Sequence, residues 1–366
     1  MKKVLLLVLA WLIAVNVFGL VAHNRFNLNP DTAYTWMTPE NFPVKQGWDI
    51  VDIHNRWDTY WYVDIVHHGY YLKTDNTLSN VVFFPLYPFL IKALGLLFFG
   101  HFLLAGWVIS ILALFAACCF FYKLVQEFHP DIEPELPLLF LLTFPTAFFL
   151  NVVYTEALFL FLTIATFYYA LRKNFPVAGA FSLLGALTHS NGVFLALPIL
   201  WEIWRQKGWR GLLTVEILPA FFAPLGTGLF LLYDWWRFHD PFLFFKIESA
   251  WGRSFSFNQS HFSFFSHPSI VNMGIDISFT VFILVALWLV YKKVSALYAA
   301  FMSLTILSAL TSGTLMSIGR YSLVLFPIFI LLAKNKNTLF QQVWIFISVL
   351  FLALDIILFV NNYWAG

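Results

Sequence analysis

The sequence predicts an all-α polytopic membrane protein, a bundle of about 10–12 transmembrane helices with interfacial helices in its first extracytoplasmic loop. Residues 1–366 are expected to form a single integral membrane domain. Three observations carry this reading. Hydrophobic residues make up 60% of the chain and charged residues only 11%, with a mean hydropathy of +0.77, too little charge to coat a soluble globule of this size. Aromatic residues reach 20%, with 44 Phe. Apolar runs of bilayer length recur along the chain and end at Pro, Gly or charge.

Each element follows in order. "MKKVLLLVLAWLIAVNVFGLVAHN" opens on Lys2 and Lys3, and its apolar run from Val4 to Ala22 has no clear small-x-small cleavage site. It reads as an uncleaved first helix with a cytoplasmic N-terminus. The polar stretch 23–80 then forms the first extracytoplasmic loop. Further spans are expected at 81–99, 102–125, 136–152, 154–171, 176–201, 211–236, 272–291, 296–315, 321–333 and 341–360. Basic residues mark cytoplasmic turns at Arg172/Lys173, Arg205/Lys207/Arg210, Lys292/Lys293 and Lys334/Lys336, which leaves a second large extracytoplasmic loop at 238–271 and puts Thr311–Arg320 outside. That topology closes only if 176–201 is a hairpin of two short helices broken at "THSNG" (Thr188–Gly192), with 81–99 interfacial or re-entrant. Such a break is tolerated at membrane depth only where protein or a water-filled cavity covers the freed backbone groups, so it points to a site.

Several function classes fall away. The net charge of +2 gives no case for nucleic acid. Cys118 and Cys119 are adjacent within one apolar run and read as packing, outside any disulfide framework or spaced metal site. Internal repeats, low-complexity segments and a second soluble domain are absent from the pattern.

One stretch stands apart. "NRWDTYWYVDIVHHGY" (Asn55–Tyr70) gathers two Asp, two His and an Arg among aromatics that settle at bilayer interfaces. On a helix, Trp57 and Trp61 share one face and Asp58 and Tyr62 the adjacent one. A partly desolvated aspartate at the rim of a lipid phase is a better base than one in water. The alternative is a solvated interfacial loop held by an aromatic belt.

Other polar residues recur near span ends, in "FFPLYP" (Phe83–Pro88), "FPTAFFLNVVYTEALFL" (Phe144–Leu160), "LTHSNG" (Leu187–Gly192), "HDPFLFFKIESAWGR" (His239–Arg253) and "SIGRYSLVLFP" (Ser317–Pro327). Glu156 stands at a helix start, where capping alone would explain it. Arg253 and Arg320 read equally as snorkelling interfacial arginines, and His189 as a satisfied bundle histidine. Taken together, four of the five motifs can lie on the outer side with Asp58. A carboxylate facing several cationic groups is what transfer from a phosphate-linked donor requires.

In this order the motifs resemble the PIG-V family, the relatives of GPI mannosyltransferase 2 that include many prokaryotic members, over roughly Arg56 to Ala333. The resemblance implies a GT-C glycosyltransferase-like bundle that takes a sugar from a polyprenyl-phosphate carrier on the outer face, with an essential acid in the loop after the first helix. Here that acid is Asp58. By the same resemblance Trp57, Tyr62, Gly69, Tyr70, Pro145, Tyr154, Glu156, Trp251, Arg253, Arg320 and Tyr321 match the family's motifs. His189 departs from them, standing where family members usually carry Arg, and Asp64 falls at a variable position.

The implied reaction is an inverting transfer of a hexose, by resemblance mannose, to a hydroxyl of a lipid-linked or cell-surface glycan acceptor. Asp58 is the expected base. Arg320, Arg253 and His189 are the expected phosphate ligands. Trp57, Trp61, Tyr62, Glu156, Tyr154, Trp251 and Tyr321 are expected to bind sugar or acceptor. No cluster has metal-ligand spacing, so no cofactor is expected beyond a loosely held divalent cation. A compact chain without long loops fits the plasma membrane of a prokaryote better than an endoplasmic reticulum. The rival reading is a polytopic transporter or flippase of a lipid-linked sugar, which should carry ionisable residues in mid-span and often a two-fold repeat, neither of which the sequence displays.

Overall fold

A computed structural model describes residues 1–26, 47–73, 78–251, 253 and 270–363. Helix makes up 79% of the chain and no strand occurs among the described residues, so the fold is all-α. The helices are α1 (Lys2–Phe26), α2 (Asp49–Asp52), α3 (Thr59–His68), α4 (Leu86–Leu97), α5 (Phe102–Phe128), α6 (Glu135–Leu142), α7 (Glu156–Leu171) and α8 (Phe175–Ala186). They continue as α9 (Ala196–Gly211), α10 (Phe222–Phe238), α11 (Leu243–Glu248), α12 (Ile270–Lys293), α13 (Ala296–Leu310), α14 (Ile318–Tyr321), α15 (Pro327–Lys334) and α16 (Thr338–Val360).

Among the described residues, five segments are long and apolar enough to cross a membrane: Lys2–Arg25, Phe102–Phe128, Val215–Phe238, Ile270–Lys293 and Thr338–Val360. Four shorter apolar helices, α4, α7, α8 and α13, accompany them. These are features of a membrane protein. Several runs read as single spans are interrupted. The run 136–152 stops at Leu142, passes Pro145 and resumes as a 3-10 turn at Ala147–Asn151. The run 321–333 divides into α14, a 3-10 turn at Ser322–Val324 and α15, whose first residue is Pro327. The run 176–201 breaks where "THSNG" predicts, between α8 and a 3-10 turn at Ser190–Leu195. Gly192 is obligatory at that break, because a Cβ there would collide with the backbone of Gly185 and Ala186.

The chain divides into two compact units. The first comprises Met1–Gly69, Leu86–Phe161 and Leu332–Gly366. Here the carboxyl ends of α1 and α16 meet: the Nδ1 of His23 and a guanidinium nitrogen of Arg56 both donate to the carbonyl of Val360, at 3.0 and 3.1 Å. Their amino ends gather basic charge, with Lys3 on Glu135 at 2.8 Å and Lys334 on Asp131 at 3.5 Å. The stretch 47–69 lies at the Val360 end, about one membrane thickness from those lysines along α1.

The second unit comprises Tyr70–Pro85 and Leu162–Leu331. Its core is aromatic: the Phe167 ring packs edge-on against Tyr298, Phe301 and Phe326 at 5.6, 5.1 and 5.2 Å. Gly226 lets α10 approach the Leu183 carbonyl and Ala186 of α8 closely.

Candidate functional site

In the first unit the polar stretch from Asn55 to Gly69 is built around one unusual turn. Four of the six non-glycine residues with positive φ among the described residues, Phe99, Lys173, His239 and Asn362, close helix ends, where the left-handed conformation is routine. The other two are Trp57, at φ 51°, and Ser317, at φ 69°. Trp57 immediately precedes Asp58, and Ser317 immediately precedes the turn that carries Arg320. Left-handed backbone at a bulky side chain persists only where its surroundings over-determine it.

Those surroundings are explicit at Trp57. The Tyr154 hydroxyl accepts the Asp58 N–H at 3.1 Å and donates to the Arg56 carbonyl at 3.3 Å, bridging the turn. The Thr59 hydroxyl reaches the His54 carbonyl at 3.0 Å and the Val153 carbonyl at 3.4 Å, and the Trp57 indole donates to the Tyr363 carbonyl at 3.3 Å. Asp58 takes the N-cap position of α3 without capping it with its side chain, and remains partly exposed. Tyr62 meets the Thr155 hydroxyl at 3.4 Å and stands edge-on to Tyr87 at 5.1 Å, beside Glu156, the first residue of α7. The "WD" and "VVYTE" motifs and Tyr87 of "FFPLYP" therefore converge within this unit.

The loop's footing is a buried amide network. The Trp107 indole can only donate, so its 3.1 Å bond fixes the Asn151 carbonyl oxygen, and the Asn151 NH2 then donates to Asn16 Oδ1 at 3.1 Å. That same oxygen accepts from His54 Nε2 at 2.9 Å, which makes His54 the neutral Nε2–H tautomer. Burial, and secondarily the Arg56 guanidinium, push the His54 pKa down to about 3. Its ring stacks on Trp107 at 4.7 Å.

Three expected sugar-binding residues are placed differently from a ligand-facing wall. Trp61 and Tyr154 are 2% and 1% exposed, so their rings belong to the core. Tyr62 is buried, while Trp57 keeps part of its indole open. Asp64 is engaged by the Nδ1 of His68 at 2.9 Å.

In the second unit the three expected phosphate ligands come together around one ring. Arg253 and Arg320 lie against Tyr321 at 5.2 and 5.7 Å, and His189 stands edge-on to the same ring at 6.2 Å. The Nδ1 of His189 accepts the Asn191 N–H at 3.1 Å, so its proton resides on Nε2. With Nδ1 accepting, the ring is neutral. Glu248 lies 3.9 Å from the Arg253 Nε. The Trp251 side chain lies outside the described residues, as do 27–46 of the first loop and 254–269 of the second.

Sequence reading missed two acids inside candidate spans. Asp234 of α10 is fully buried with neither carboxylate oxygen hydrogen-bonded, and Asp355 of α16 is buried with its Oδ2 unpaired. Each stands alone in an apolar run, "LLYDWW" and "LALDII", and that isolation was the available signal. Among the described residues, no group of three or more His, Cys, Asp or Glu could hold a metal ion. No protein-family model and no curated protein matches this chain.

Proposed function

We propose that the protein is an inverting GT-C-type glycosyltransferase resembling the PIG-V family, moving mannose from a polyprenyl-phosphate donor to a hydroxyl of a lipid-linked or cell-surface acceptor. It would work on the extracytoplasmic face of a prokaryotic plasma membrane. The observation that carries the proposal is the Arg253–Tyr321–Arg320 arrangement with His189 at its edge, three anion-binding groups drawn from distant motifs onto one ring. Two guanidinium forks and a neutral N–H donor match the oxygens of a phosphate.

Asp58 takes the proton of the acceptor hydroxyl as that oxygen attacks the anomeric carbon. The bond from that carbon to the phosphate oxygen breaks, and its electron pair leaves with polyprenyl phosphate, a stable anion that needs no protonation. The sugar is inverted. Arg320, Arg253 and His189 bind the departing phosphate, Glu156 orients hydroxyls, and Trp57 offers its open indole edge. Any divalent ion would arrive with the donor phosphate.

A lipid-linked-sugar transporter is the second reading, favoured by the buried acids Asp234 and Asp355. One experiment separates the two: transfer of radiolabelled sugar from polyprenyl-phosphate-mannose to extracted membrane lipids, comparing wild type with Asp58→Asn in the same detergent. The glycosyltransferase reading expects labelled product from wild type and a loss on the order of 10²–10⁴-fold in the variant. Equal product from both removes Asp58 from the chemistry. Protein-dependent flipping of the labelled lipid in vesicles without any product, abolished by Asp234→Asn, would establish the transporter instead.

A further inference from the structure

We propose that Tyr154 is a positioning residue: its hydroxyl fixes the backbone on both sides of Trp57 and so aims the Asp58 carboxylate, while Arg56 fastens the same turn to the carboxyl end of α16. This rests on the glycosyltransferase reading of Asp58. A phenol has one proton to give, and that of Tyr154 goes to the Arg56 carbonyl at 3.3 Å, while its oxygen takes the Asp58 N–H at 3.1 Å. The two bonded groups flank the one residue whose left-handed φ turns the chain into α3.

Tyr154 is itself immobilised. Its ring packs on Phe149 and Phe359 at 5.6 and 6.1 Å, and its carbonyl takes the Ser110 hydroxyl at 3.4 Å. With 1% of its surface exposed it presents no face to a sugar. Arg56 is equally committed, donating to the carbonyls of Asp52, Asn55 and Val360 at 2.8, 2.9 and 3.1 Å. An Asp58 held by its own backbone N–H keeps its carboxylate clear of the helix cap, where it would otherwise turn inward to satisfy N–H groups of α3.

The test uses full-length wild type, Tyr154→Phe, Thr143→Val and Asp58→Asn in one detergent, with two readouts. Amide hydrogen exchange over 56–62 should rise on the order of tenfold in Tyr154→Phe, which removes both bonds of the clamp, and stay near wild type in Thr143→Val, whose hydroxyl bonds only the Leu139 carbonyl of its own helix. With polyprenyl-phosphate-mannose as donor, kcat should fall on the order of tenfold to a hundredfold in Tyr154→Phe with KM within twofold. Unchanged exchange overturns the proposal, as does a raised KM with kcat preserved, which would make Tyr154 a substrate contact. Faster exchange with kcat at the wild-type level overturns it too, leaving a purely architectural bond. If Tyr154→Phe does not fold, Arg56→Lys, which keeps the charge and loses the fork, is read by the same criteria. Should wild type transfer no sugar, the functional reading fails, and the clamp stands or falls on exchange alone.

Discussion

Ser317 occupies the left-handed region directly before the turn that presents Arg320, as Trp57 does before Asp58. An L residue there forgoes about 1–2 kcal/mol, and a β-branched one suffers most because its second γ atom crowds the following carbonyl. Ser317→Val is therefore expected to lower stability by about 2 kcal/mol. A thermal-shift measurement in detergent checks it, and an unchanged melting temperature would show the turn to be relaxed. That such residues sit beside Asp58 and Arg320 was not legible in the sequence, since neither Trp nor Ser signals positive φ. Asp58, His189, Arg253 and Arg320 drew attention through the motifs around them, whereas the gathering of His189, Arg253 and Arg320 at the Tyr321 ring was not legible, because side-chain proximity between distant segments leaves no mark in local sequence.

Among the elements, the break at Thr188–Gly192 shows what a sequence can and cannot convey. "THSNG" holds three helix-averse residues and a glycine, so the interruption between α8 and the following 3-10 turn could be read directly. Apolarity without such residues was misleading. The run 136–152 looked like one span, yet only α6 is regular, because hydropathy reports burial and says nothing about whether successive carbonyls find partners four residues on. Gly192→Ala tests the break itself. Its methyl would meet backbone atoms of Gly185 and Ala186, which cannot rotate away, so a loss of about 2–3 kcal/mol is expected, measured as the shift in detergent unfolding midpoint. A neutral result would mean the 3-10 turn moves freely off α8.

Across the whole molecule, two histidines outside the spans contribute to its response to acid: His54, held near pKa 3, and His129 at the end of α5, held near 4 by burial. In the unfolded chain each titrates near 6.5, so below that pH the unfolded state binds protons that the folded state refuses. The stability each contributes is fully present above about pH 6.5 and falls as pH drops towards its folded-state pKa, by about 1.4 kcal/mol per pH unit for each histidine. The slope of unfolding free energy against pH between 4 and 6 should decrease by about one proton in His54→Gln, while stability at pH 8 falls only by the cost of the altered bond to Asn16. An unaltered slope would mean that His54 is solvated and charged in the folded protein.

The bond from Arg56 to the carbonyl of Val360 joins positions 304 residues apart. At translation rates of about 5–20 residues per second, the turn before Asp58 emerges roughly 15–60 s before the helix that anchors it. During that interval the loop has its tyrosine bridge to await and no fixed partner at its other side. The turn before Asp58 can thus be fastened on both sides only after α16 has been synthesised, so its final geometry is a late event in the making of the chain.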